Sequence, residues 1–288
     1  MKTAIMTDTN SGITAALGEK LGIHVLPMPV SIDENGFLEG IDITHTALFA
    51  ALREGRNVHS SQPSPGAVTD MWDSIFAEGY DEVVYIPMSS GLSGSCEMAK
   101  RFAEDYDRPV EVADNRRISV TLYESALEAR RMADRGMSAS EIRQALEDRA
   151  ADSSIYVSVN SLEYLKRSGR VTPAAAAFAM VLNLKPVLTI QGGKLDAFAK
   201  VRGMKNCEKR MLEAARADLE GRFSAFPKER IRLGAAGTFE RQEDADAWLD
   251  RLRKAFPGYR TYYQPLSCSI ACHVGIDAIG LGISCVTD

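Results

Sequence analysis

Apolar and polar positions along the chain fall into alternating blocks, and the first block is a short β-leaning run, residues 2–7, ending in Thr7-Asp8-Thr9-Asn10-Ser11-Gly12. Small polar residues there cap a following helix, so the pattern predicts strand, polar loop, helix. A second strand is predicted at 24–30, helices at 44–54 and 71–78, and an apolar strand at 82–87. A second polar loop, Met88-Ser89-Ser90-Gly91-Leu92-Ser93-Gly94-Ser95, then leads into a helical stretch at 96–104 and repeats the first arrangement. Such alternation predicts a parallel sheet with crossover helices, in which ligands gather outside the carboxyl ends of the strands.

Helical runs at 118–135 and 138–151 precede the polar break Asp152-Ser153-Ser154 and a strand at 155–159. We place a domain boundary there, giving units of 1–153 and 154–288. The second unit reads as α+β. An amphipathic stretch at 161–167 stops at Ser168-Gly169-Arg170, where glycine terminates a helix. Thr172 as N-cap and Pro173 at the first helical position open an unusually apolar helix, 174–182. A helix so plain is covered nearly all round or lines an apolar ligand. Strands at 185–190, 194–200 and 232–236 and helices at 206–220 and 242–255 complete the pattern.

At 288 residues the chain exceeds what one hydrophobic core usually supports, so two domains are expected. Hydrophobic residues at 45% and charged residues at 25% place it among ordinary globular proteins. A formal charge of -5 offers no footprint for nucleic acid or an anionic membrane. Asp8 interrupts the N-terminus too early for a signal peptide, and no run reaches transmembrane length, so the expected location is cytoplasmic, without stable membrane insertion. Five scattered cysteines suit a reducing compartment. Cys268, Cys272 and His273 cluster, but a closed zinc site needs four ligands, so no metal is expected.

Candidate chemistry concentrates in Ser60-Ser61-Gln62-Pro63-Ser64 and Ser89-Ser90-Gly91, whose hydroxyls both donate to and accept from carboxylate or phosphate oxygens. Gly91 and Gly94 allow close backbone approach, and the helix beyond offers free N–H groups to an anion. The same residues also serve ordinary turns and caps. His273 sits among small apolar neighbours, where an imidazole is either a satisfied structural group or a ligand and proton-handling one. Arg170 and Arg202 stand at element ends, where a guanidinium forks onto carboxylate or phosphate or is simply solvated. Gly91-Leu92-Ser93-Gly94-Ser95 lacks the final glycine of a nucleophile elbow, and Gly192-Gly193-Lys194-Leu195 is no Walker loop. Gly280-Leu281-Gly282 lacks the third glycine of a dinucleotide fingerprint.

These fragments, in this order, resemble the DegV family along essentially the whole chain. The resemblance rests on Thr7-Asp8-Thr9, the two serine loops, Leu162-Glu163-Tyr164-Leu165-Lys166 with Ser168-Gly169-Arg170, and Leu184-Lys185-Pro186-Val187-Leu188. Gly193-Lys194, Val201-Arg202, His273-Val274-Gly275 and Gly280-Leu281-Gly282 complete it. It implies an N-terminal parallel-sheet α/β/α domain, a C-terminal mixed-sheet α+β domain and a long-chain fatty acid between them in an apolar tunnel. It also implies a bacterial lipid-binding subunit without its own ATP site or other cofactor, which presents the carboxylate to a separate fatty acid kinase catalytic subunit for acyl phosphate formation. By position, Ser90 and His273 would hold the carboxyl group, with Ser60, Ser61, Ser89 and Gly91 around it and Arg170 and Arg202 facing phosphate or the partner. The family's Gly-Pro-Gly after the histidine is Gly275-Ile276-Asp277 here. Two other readings stay open: a self-sufficient Ser/His acyl hydrolase or acyltransferase using Ser90 or Ser93, and a carrier of another amphiphile.

Overall fold

A computed structural model describes residues 2–177, 184–191 and 193–287. The first unit is built on four parallel strands, β1 (Thr3–Asp8), β2 (Ile23–Leu26), β6 (Glu82–Ile86) and β7 (Val110–Val112), in the order β2-β1-β6-β7. β1 and β6 are buried throughout, which is why both read as continuous apolar runs. Helices α1 (Ala15–Leu21), α3 (Pro65–Ala77), α4 (Ser95–Glu104), α5 (Val120–Asp134) and α6 (Ala139–Asp148) make the crossovers and cover the sheet. A small antiparallel sheet, β4 (Asn35–Leu38), β3 (Pro29–Ile32) and β5 (Val58–Ser60), with α2 (His45–Arg53), projects from it.

The second unit is a six-stranded mixed sheet in the order β10-β9-β8-β13-β11-β12, formed by β8 (Ser153–Ser158), β9 (Lys185–Ile190), β10 (Asp196–Val201), β11 (Ile231–Gly237), β12 (Arg260–Pro265) and β13 (Ile279–Cys285). Only β11 and β12 pair in parallel. Helices α9 (Met204–Glu220) and α10 (Gln242–Ala255) pack on it through a core around Trp248, Met211 and Leu233. Short helices α7 (Glu163–Ser168), α8 (Pro173–Ala177) and α11 (Cys268–Val274) lie elsewhere in this half. Among the described residues no helix is long and apolar enough to cross a membrane.

The strand predicted at 24–30 is two strands in different sheets, because Pro27 and Pro29 cannot donate to a continuous ladder. The helix predicted at 71–78 begins six residues earlier, at Pro65, where the Ser64 hydroxyl accepts from the Ala67 amide. Gly169 ends α7 in the left-handed conformation, and the Thr172 hydroxyl accepts from the Ala175 amide at 3.2 Å as an N-cap should. Residues 178–182 of the helix expected at 174–182 lie outside the described residues. The sequence reading missed β12, α11 and β13, and β13 is a central strand of the second sheet. Its glycines are a packing feature: a Cβ on Gly282 or Gly234 would come within 2.5 Å of the Val120 side chain, which wedges the start of α5 against the sheet.

Candidate functional site

In the parallel sheet β1 is flanked by β2 on one side and β6 on the other, so the strand order reverses between β1 and β6. The crevice beyond their carboxyl ends is where such sheets bind ligands. Buried Asp8, the last residue of β1, ties both crevice loops together: its carboxylate accepts from the Asn10 amide at 2.9 Å and the Met88 amide at 2.9 Å. Burial pushes its pKa up to about 6.

The histidine arrives from the other unit. Helix α11 starts at Ser267, whose hydroxyl accepts from the Ile270 amide at 3.2 Å and donates to the Asn10 side-chain oxygen at 3.1 Å. Glu39, beyond β4, adds a second cap, accepting from the Cys268 amide, the Ser269 amide at 3.4 Å and the Thr9 hydroxyl at 2.9 Å. One turn further along, His273 Nε2 lies 2.7 Å from Ser60 Oγ at the end of β5. The other ring nitrogen, Nδ1, is buried and has no hydrogen-bond partner among the described residues. Burial, then the positive charge of Arg170, lowers the His273 pKa to about 4, so the ring is neutral at pH 7.

Ser60 and His273 face a cavity between the two units. Its polar lining includes Ser61, Gln62, Ser93 and Arg170. These belong together: the Arg170 guanidinium donates to the Leu92 carbonyl at 3.4 Å, and the Gln62 side-chain oxygen sits so near Gly94 that a Cβ there would lie 2.7 Å from it. The remaining lining is largely apolar and comes from both units, with Ile155, Val157, Ile190 and Leu281 from the mixed sheet and Ile118 and Val120 from the start of α5.

The site residues expected from sequence divide clearly. Ser60, Ser61, Arg170 and His273 meet at the cavity. Ser90 does not meet His273: its hydroxyl donates to Asp114 at 2.5 Å and its amide to the same carboxylate at 3.3 Å, which turns it away from the cavity lining. Buried Ser89 accepts from the Gly91 amide at 3.2 Å and holds the loop's shape. Gly91 abuts the backbone of Gly193, where a Cβ would fall 2.8 Å from the carbonyl carbon, so it closes the two units on each other. Arg202 is exposed between β10 and α9 and is not part of the lining. Ser93, expected only as a hydrolase nucleophile, lines the cavity, as do Asn10, Ser119 and Ser269, which were not expected as site residues. Asn10 lies in the first polar loop, but Glu39 carries no local signal, since its role depends on a helix more than two hundred residues away.

Cys268, Cys272 and His273 do not converge. Both thiols pack into the apolar cluster around Phe49 and Leu52, while the histidine turns to the cavity. Glu39, His45 and Cys268 bring ligand-type atoms within 4.8 Å of one another. Their lone pairs and protons already serve α11, since Glu39 caps it and His45 Nε2 lies 2.7 Å from the Leu266 carbonyl oxygen.

The model of a family described as uncharacterised proteins of the DegV family matches residues 2–285. A DegV domain-containing protein of Streptomyces coelicolor is 32% identical over 282 residues, covering 98% of each chain. Among solved structures, one of fatty acid binding by a DegV family protein of Thermus thermophilus superposes with a TM-score of 0.87 at 29% identity, over 99% of this chain and 100% of that one. A DegV lipid-binding protein of Thermotoga maritima gives 0.83 at 26% identity, over 99% of each chain. With the fold, the inter-unit cavity and this end-to-end similarity in agreement, the chain belongs to the DegV family.

Proposed function

We propose that the protein is a carrier of a long-chain fatty acid, its alkyl chain in the cavity and its carboxyl group at the Ser60–His273 pair. One observation carries this reading: a largely apolar cavity whose polar lining includes a hydroxyl–imidazole pair and one arginine. Each methylene removed from water contributes about 0.8 kcal/mol, so a dozen supply on the order of 10 kcal/mol from an unspecific sleeve. The carboxylate needs the polar groups. Ser60, Ser61 and Ser93 hydroxyls donate to it, and the unpartnered Nδ1 of His273 marks a ring that gains a role when an anion arrives. Arg170 supplies the positive charge. The similarity to fatty-acid-binding and lipid-binding DegV structures supports the same ligand class.

In this reading residues 1–153 and 154–288 are the two domains that enclose the ligand, and the protein acts in the cytoplasm without catalysing a reaction alone. A separate kinase subunit brings ATP; a carboxylate oxygen attacks the terminal phosphorus, ADP leaves, and an acyl phosphate forms. Arg170 lies beside the head group, and Arg202 on the surface is a candidate contact for that partner. The Ser60–His273 geometry also suits an acyl hydrolase, but among the described residues no carboxylate orients the imidazole, whose depressed pKa makes it a weak base. Native mass spectrometry of the purified protein tests the carrier reading. A near-stoichiometric fatty acid is expected, and a protein that takes up no fatty acid of any length overturns it. Stoichiometric labelling of Ser60 by a fluorophosphonate would favour the hydrolase.

A further inference from the structure

Ser119 stands directly before α5 and lines the cavity, with only 8% of its surface exposed. Its hydroxyl does not cap the helix it precedes, and among the described residues it has no hydrogen-bond partner. That oxygen borders the cavity, where it is open to a polar atom of the occupant. Its backbone is also in an unfavourable region, with φ 55° and ψ -137°. Two contacts hold that conformation in place. The Ser119 amide donates to the Asn10 carbonyl at 2.8 Å, and the next residue, Val120, is wedged between Gly234 and Gly282 of the mixed sheet. The Val120 amide, at the first position of a 15-residue helix and on a cavity-lining residue, accompanies the hydroxyl at the wall.

Ser119 belongs to a different element from the Ser60–His273 pair, and its immediate cavity neighbours in sequence, Ile118 and Val120, are apolar. We infer that Ser119 and the start of α5 form a second polar anchor inside the acyl cavity, for a ligand with a hydroxyl or keto group along its chain. The inference rests on the cavity being an acyl-chain site and narrows its ligand class to oxygenated fatty acids. The oxygen of such a chain accepts from the Ser119 hydroxyl or the Val120 amide, and a chain hydroxyl can also donate to Ser119 Oγ. An unsubstituted chain leaves these groups unpaired and forfeits that interaction.

The test is a comparison of stearic acid with a series of monohydroxystearic acids, the hydroxyl placed at successive carbons, by titration calorimetry on delipidated protein. At least one positional isomer is expected to bind about tenfold or more tighter than stearic acid. Ser119→Ala abolishes that preference, so that the favoured hydroxy acid and stearic acid bind the variant equally. Ser119→Gly removes the hydroxyl and relieves the backbone, so its loss of preference cannot come from misfolding. Equal or better binding of stearic acid than of every hydroxy acid overturns the inference but leaves the fatty acid reading standing. A preference that survives both substitutions also overturns it. Failure of all these acids to bind overturns both readings.

Discussion

The imidazole of His273 is defined by two opposite deficits: a tight contact with Ser60 on one ring nitrogen and nothing on the other. Its neutral state has a consequence for stability. In the unfolded chain a histidine titrates near 6.5, and here the folded value is about 4, so between those limits only the unfolded state takes up the proton. Stability is therefore unaffected above pH 6.5 and falls as pH drops from 6.5 towards 4, by about 1.4 kcal/mol per pH unit at the steepest. Asp8 acts in the opposite sense. Its folded value, about 6 against 3.8, means that burial of the ionised form costs stability as pH rises through that interval. Ser267 and Ser269 meet Asn10 beside it, so the two effects overlap at one site. Thermal unfolding of His273→Gln across pH 4–7 is expected to show a smaller acid-side loss than the native protein, and Asp8→Asn a larger one. Ser60→Ala should weaken fatty acid binding about tenfold, whereas Ser60→Thr, which keeps the hydroxyl, should leave it nearly unchanged; fluorescent fatty acid displacement measures both.

At the scale of elements, α11 decides where His273 stands, and it is a seven-residue helix that would not form alone. Its first amides are satisfied by the Ser267 hydroxyl and by Glu39 from a different sheet, while Gly275 ends it with φ 73° against the Tyr164 ring. Glu39→Gln replaces one acceptor oxygen with an NH2 group that faces other donors. Chemical denaturation should show a loss of about 1–3 kcal/mol, and fatty acid affinity should fall with it, although Glu39 does not line the cavity. This helix was invisible in the sequence because Cys268–Val274 is too short to show a helical period, and its caps are supplied from elsewhere in the fold. By contrast, α10 and β9 match their predicted spans, because each carries its own pattern: an amphipathic face in one, an apolar run before a polar turn in the other.

For the whole molecule, the closing contact between the two units is backbone against backbone at Gly91 and Gly193. A methyl group added at Gly91 would have to push the Gly193 loop away, since the carbonyl carbon lies 2.8 Å from where the Cβ must sit. Gly91→Ala is expected to speed fatty acid release about tenfold in stopped-flow displacement, with little change in the far-ultraviolet circular dichroism of the free protein. Because the cavity draws walls from both units, its occupant stabilises both together. Delipidated protein should unfold at a lower temperature than the loaded form, and re-addition of ligand at a hundredfold excess over Kd should restore about 2.7 kcal/mol. A melting profile indifferent to lipid would show that the cavity is not where the ligand binds.

Local patterning alone was enough to determine the alternation that makes the first sheet parallel and the polar loops at the ends of β1 and β6. These follow from period, turn chemistry and residue type, properties that neighbouring residues share. Only the tertiary structure decided which hydroxyl faces the imidazole. Ser90 and Ser93 are three residues apart in one Ser/Gly loop and chemically alike, yet Asp114 captures the first, while the second pairs with Ser95 and lines the cavity. Likewise, the apparent glycine motif at Gly280-Leu281-Gly282 proved to be a strand with room for Val120, and the second cap on the histidine's helix came from Glu39. Partnerships between distant segments depend on how the sheets are placed, and that information is held by the whole core and by no local stretch of sequence.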